Sequence, residues 1–137
     1  MAASCTVTHR YLQKLGGVRK ITWAWTSASD GSCTGPTIEA VGGEIVRIVT
    51  IPSASAAPTT LYDITITDGN SIDVMAGQGA NLSATVTAHV MPGVPLKDGT
   101  TTSVAPIIVD DILTLNVTNA GDTKSGTVIM YLRTQNV

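Results

Sequence analysis

The stretch L-Y-D-I-T-I-T, from Leu61 to Thr67, decides the fold. Tyr62, Ile64 and Ile66 alternate with Asp63, Thr65 and Thr67, a period of two that puts three large apolar side chains on one face of a strand. Asp68-Gly69-Asn70 follows as a turn, and Ile72 and Val74 within Ser71 to Ala76 repeat the spacing, so the two segments are expected to pair as a hairpin. Nearer the C-terminus, Ile112 to Thr118 sets Leu113, Leu115 and Val117 opposite Ile112, Thr114, Asn116 and Thr118. After Asn119-Ala120-Gly121-Asp122 the pattern resumes over Ser125 to Arg133, which predicts a second hairpin. On the other side, Ile21, Trp23 and Trp25 share one strand face against Thr22, Ala24 and Thr26.

The rest of the chain supplies further strands and the breaks between them. Cys5 to Leu12 is short and strand-like, and Gly16-Gly17 ends it. Ser27 to Pro36 is loop, with Asp30-Gly31 as its turn signal. Thr37 to Val41 is a short strand closed by Gly42-Gly43, and Glu44 to Ile51 is apolar enough to be buried on both faces. Pro52 to Thr60 is a long exposed connection of low complexity, and Gly77 to Asn81 is another flexible break. A weak strand is expected around Ser83 to Val90 and irregular chain from Met91 to Gly99. Pro106 inside Val104 to Val109 suits an edge strand or a strand entry. No helix is expected. The reading is an all-β single domain over residues 1–137, a β-sandwich of jelly-roll or immunoglobulin-like type with eight or nine short antiparallel strands. Residues 1–15 form an N-terminal arm or an edge strand.

Composition agrees. The 137 residues include 21 Thr, 10 Ser and 26 Val plus Ile, with no Phe, 13 Gly and 6 Pro. β-branched residues fit a pleated, half-buried surface and are stiff in helices. Only 13% of residues are charged, about half the usual share, and the net charge is −2. No basic cluster exceeds Arg19-Lys20, so nucleic acid is not an expected partner. Nor is a membrane, because no apolar run reaches transmembrane length. The N-terminus shows no apolar run of signal-peptide length, so synthesis and initial residence in the cytosol are expected. There, Cys5 and Cys33 are expected as free thiols rather than a disulfide.

Candidate chemistry is sparse. His9 and His89 stand alone among apolar and β-branched neighbours, and no serine lies in a G-x-S-x-G elbow. Catalytic residues and cofactors are therefore not expected. Asp63, Asp68 and Asp73 recur every five residues and Asp110-Asp111 precede a strand, but the calcium-loop spacing is missing. They read as turn and solvent-facing residues, and no metal is expected. Trp23 and Trp25 are either core indoles or an exposed aromatic platform for sugar or protein contact. The neutral loops are the stronger candidates for contact. Ser27, Asp30 and Thr34, then Ser53, Ser55 and Thr59, then Gly77, Gln78 and Asn81 lie in long segments of small residues that can pack on a neighbour without desolvating charge.

The runs Ile21 to Ser27, Val41 to Pro52, Leu61 to Asn81 and Leu113 to Arg133 together resemble small structural proteins of tailed bacteriophages. The resemblance is one of overall pattern from about Ile21 to Arg133, and it contains no catalytic motif. It implies a β-sandwich present in many copies on the virion, expected there as a homo-oligomer, and made in the cytoplasm of the host bacterium. The implied role is a capsid decoration or cement protein bound to the major capsid protein. A tail or neck component, or a carbohydrate- or receptor-binding module, are the alternatives.

Overall fold

The computed structural model describes residues 6–15, 17–95 and 104–133. Among them the chain forms ten strands and no helix: β1 (Thr6–Leu15), β2 (Val18–Thr26), β3 (Cys33–Thr34), β4 (Ile38–Pro52), β5 (Asp63–Thr67), β6 (Ala88–Val90), β7 (Gly93–Pro95), β8 (Val104–Pro106), β9 (Ile108–Thr118) and β10 (Ser125–Arg133). The all-β, antiparallel expectation therefore stands. Eight strands hydrogen bond into one sheet in the order β1-β2-β10-β4-β9-β3, with β5 added to β9 and β6 to β4. Strands β7 and β8 form a separate hairpin. One continuous sheet curls around the core, where the sequence suggested a sandwich of separate layers.

The curl is made by β4. Its first half pairs with β9 (Val41 with Asp111, Glu44 with Ile108), and its second half pairs with β10 (Ile48 with Met130, Thr50 with Val128). The sequence predicted two strands here, split by Gly42-Gly43. Instead a single strand of 15 residues runs through the glycines. Gly43 sits at φ 142°, a conformation a Cβ would strain, so the pair bends the strand without ending it. At the far end of the curl, β1 comes alongside β3. A Cβ on Gly35 would lie 2.7 Å from the Val7 side chain, so glycine permits that approach.

Both predicted hairpins are corrected. Strand β10 lies between β2 and β4, while β5 and β3 flank β9, so β9 and β10 never pair. Their connection is an arch that carries the chain across the curl. The segment after β5 makes one bridge, Thr67 to Asp73, and then breaks into turns. The cause is the Asp73 carboxylate, which accepts hydrogen bonds from the amides of Ile66, Met75 and Gly77 and so draws the chain into a tight coil instead of a ladder.

The faces themselves follow the sequence. Ile21, Trp23 and Trp25 of β2 lie inside with Val128, Met130 and Leu132 of β10, Tyr62, Ile64 and Ile66 around β5, and Leu113, Leu115 and Val117 of β9. The Trp25 and Tyr62 rings meet across this interior at 5.9 Å between centroids, tilted by 42°. Each buried aromatic removes roughly 200 Å² from water, a gross gain of about 5 kcal/mol at 25 cal/mol per Å². Gly126 lies opposite Trp25, and a Cβ there would lie 2.8 Å from the indole, so its bare backbone is the seat of that ring. The free-thiol expectation is also corrected. Cys33 is disulfide-bonded. The one other cysteine of the chain, Cys5, precedes β1 and lies outside the described residues.

Candidate functional site

The neutral loops singled out in the sequence gather at one end of the curl. They meet on the β9–β10 arch, residues 119–124, which sequence reasoning read only as a turn. Ser27, just past β2, donates its hydroxyl to the Gly121 carbonyl at 2.6 Å and accepts from the Lys124 amide at 2.9 Å. The Ala120 amide donates to the Gly31 carbonyl at 3.0 Å, and the Thr59 amide donates to the Ala120 carbonyl at 2.8 Å. Ser125 receives the Ser53 amide on its carbonyl and donates its own amide to Ala56. The third loop joins through Asp63. That carboxylate accepts from the Asn81 amide at 2.8 Å and from the Asn119 side chain at 2.7 Å.

Individual positions then divide by what their polar atoms do. Ser27 is buried with its hydroxyl fully engaged, so it belongs to the frame and not to a contact surface; the sequence-level assignment is corrected there. Asp30 is exposed, and hydrogen bonds from the Ser32 hydroxyl and amide hold its carboxyl below the ordinary carboxylate range. Thr34 is exposed on β3 opposite Asn116. Ser53 accepts the Ala56 amide at 3.1 Å and shapes its own loop, leaving Ser55 and Thr59 exposed. Gly77, Gln78 and Asn81 are exposed too, although Gly77 and Asn81 are bound back to Asp73 and Asp63.

The exposed-platform reading of Trp23 and Trp25 is overturned. Both indoles are buried, at 0% and 2% exposure, because the apolar face of β2 points into the curl. Their Nε1 atoms and the Thr50 hydroxyl are buried polar atoms without a hydrogen-bond partner. All three residues sit on the same inward face, since Val128 of β10 lies between Trp23 and Thr50.

A shallow groove of about 640 Å³ runs along the sheet's outer side beside the loop end. Ala24 of β2, Thr127 of β10, Ile51 of β4 and the Ser53-Ala54 stretch line it, and none of its lining residues is charged. Such a surface can take a neutral or apolar neighbour at little desolvation cost. Titratable groups do not converge here. Among the described residues there is no group of three or more His, Cys, Asp or Glu side chains placed to hold a metal. His89 is exposed on β6 opposite Val49; the side chain of His9 lies outside the described residues. Asp68 and Asp111 are occupied with backbone amides, of Asn70 and Ile72 and of Gly69 and Ile112. Asp68 serves as the turn residue the sequence predicted, whereas Asp111 lies within β9.

No family model matches this chain, and no curated protein matches it. Among solved structures, a cupin domain from Bordetella pertussis Tohama I is similar over 93% of this chain and 94% of its own, at 13% identity and a TM-score of 0.33. At that level neither fold detail nor chemistry carries across.

Proposed function

We propose that this protein is a structural component of a bacteriophage virion, a capsid decoration protein that binds the assembled head through its neutral loop end and stabilises it. The observation that carries the reading is the uncharged groove between Ala24, Ile51 and Thr127, continuous with loops built from Ser, Thr and Ala. A cement protein works by many weak contacts repeated by symmetry on the major capsid protein. A lattice raises the effective concentration of each contact, so a modest interface suffices. The pattern resemblance to small phage structural proteins supports the same reading. The reading is non-enzymatic, and the carbohydrate-binding alternative loses its support with the burial of both tryptophans.

Particles provide the test. Mass spectrometry of purified virions is expected to find the protein, and cryo-electron microscopy to find it on the head; density on the tail or neck would move the site to that part. Ala54→Glu and Thr127→Glu put charge into the groove and are expected to release the protein from particles while its thermal unfolding stays cooperative. Absence of the protein from purified virions would defeat the proposal.

A further inference from the structure

The same outer sheet face changes chemistry along its length. At the end away from the loops, Tyr131 of β10 is paired in register with Lys20 of β2 on one side and Arg47 of β4 on the other. The Lys20 ammonium lies 6.0 Å from the Tyr131 ring centre, and the Arg47 guanidinium lies 4.6 Å from it. Two cations therefore converge on one ring with no carboxylate against either among the described residues. The neighbouring Arg133 is matched by Glu44 at 3.9 Å. Val18, beside them, is 41% exposed. This is a cationic patch with an aromatic and apolar floor, and Lys20 and Arg47 have no ion-pair partner among the described residues.

Acidic groups lie farther along the same outer face, on β9. The outer row of β9 reads Ile108, Asp110, Ile112, with Ile108 75% exposed. Asp111 and the turn aspartate Asp68 adjoin it through the Gly69 amide, and Ile72, in the same turn, is 59% exposed. Asp110 is exposed and makes no ion pair among the described residues. Both patches lie on the outer face of one sheet, joined through Glu44, which pairs with Arg133 on one side and Ile108 on the other, and Asp110 lies beyond it opposite Gly42.

We infer that the Lys20–Tyr131–Arg47 face docks a second copy of this chain through the Ile108–Asp110–Ile112 row, in a head-to-tail contact. Charge complementarity sets the partner: two unmatched cations meet three carboxylates, and the exposed isoleucines cover Val18 and the ring. A contact between two different patches is heterologous, so it propagates into a ring or an open row of subunits. Opposite charges across such a contact also fix register and speed encounter. The inference concerns the purified chain and does not depend on where the protein resides.

Sedimentation velocity on the full chain, from about 20 mM to about 500 mM salt, tests it, because the screening length falls several-fold over that range. Concentration-dependent association is expected at low salt and is expected to weaken as salt rises. Arg47→Glu and Asp110→Lys are each expected to weaken association about tenfold or more, with circular dichroism unchanged. The double variant, R47E with D110K, is expected to restore it. A chain that stays monomeric at low salt up to millimolar concentration would overturn the inference, as would association indifferent to salt and to R47E, or failure of the double variant to recover. Self-association without incorporation into virions leaves this inference standing and removes the proposed function; incorporation without self-association does the reverse.

Discussion

Replacing Ser27 by alanine tests how the loop end is held. The hydroxyl donates to Gly121 at 2.6 Å and accepts from Lys124 at 2.9 Å, while the Ser27 backbone amide makes its own bond to the Lys124 carbonyl. Alanine keeps that backbone bond and removes both side-chain ones. It leaves the Lys124 amide and the Gly121 carbonyl short of a partner in a part-buried setting, where an unmatched group costs about 1 to 3 kcal/mol. Some relief by water is available because Gly121 and Lys124 are only half-buried, which brings the expected loss to about 2 kcal/mol. For a chain of this length that is a fall in Tm of roughly 7 °C. Urea unfolding by circular dichroism gives the free energy, and amide hydrogen exchange locates the damage: the Lys124 amide should lose protection first. The control is Ser55→Ala, exposed on its loop and expected to change stability by less than about 0.5 kcal/mol. A Ser27→Ala loss as small as the control's, or an unchanged Lys124 exchange rate, would refute the latch.

Thr50→Val should have the opposite sign, because its buried hydroxyl has no partner and valine keeps the shape: a gain of about 1 kcal/mol is expected in urea unfolding, and a loss would show the hydroxyl is paired. Burial pushes the Tyr62 phenol up to about 12. The folded protein then holds that proton more tightly than the unfolded chain, so the stability involved is intact below about pH 10 and is lost as pH rises toward 12, by roughly 2 to 3 kcal/mol at most. Absorbance titration at alkaline pH should show Tyr62 ionising late, together with the onset of unfolding; an unshifted titration of Tyr62, assigned with Tyr62→Phe, would contradict the burial. Alkylation of the unreduced, denatured protein should add no mass, because Cys33 is disulfide-bonded. For an intrachain bond between the two cysteines of the sequence, reduction should cost about 3.5 kcal/mol, and labelling without reductant would disprove the bond.

The period-two alternation made the strand faces legible but not the strand partners. Tyr62, Ile64 and Ile66 are inward as their spacing required, and so are Leu113, Leu115 and Val117. Alternation reports which residues share a face, not what lies across from it. The rule that consecutive strands tend to pair then suggested a β9–β10 hairpin. What overrides it is the set of partners waiting for the arch: Ser27, Gly31 and Thr59 hold residues 119–124 from positions some 60 to 100 residues away. No local pattern carries that information. The same gap explains Trp23 and Trp25, whose shared face was evident while its direction was not. At Gly42-Gly43 a local rule misled outright, since glycine ends many strands but here lets one strand serve both halves of the sheet. The neutral loops were visible as loops; their convergence was not.

Strand β10 ties these observations to one physical asymmetry. At Ser125 to Thr127 it borders an uncharged groove and the loop end, and at Tyr131 to Arg133 it borders cations. The core beneath is continuous and apolar along the whole strand, so nothing in folding itself requires the outer face to change character from one end to the other. A free-standing chain that needed only solubility would be served by mixed charges spread over that face. Two separated chemistries on one rigid sheet instead suit two separate contacts. A contact at the neutral end would depend on packing and be little affected by salt, while one at the cationic end would weaken as the screening length shrinks. Salt is therefore the variable that separates them: subunits that lose each other at high salt while staying attached through the groove would show that the two ends of β10 serve two different neighbours.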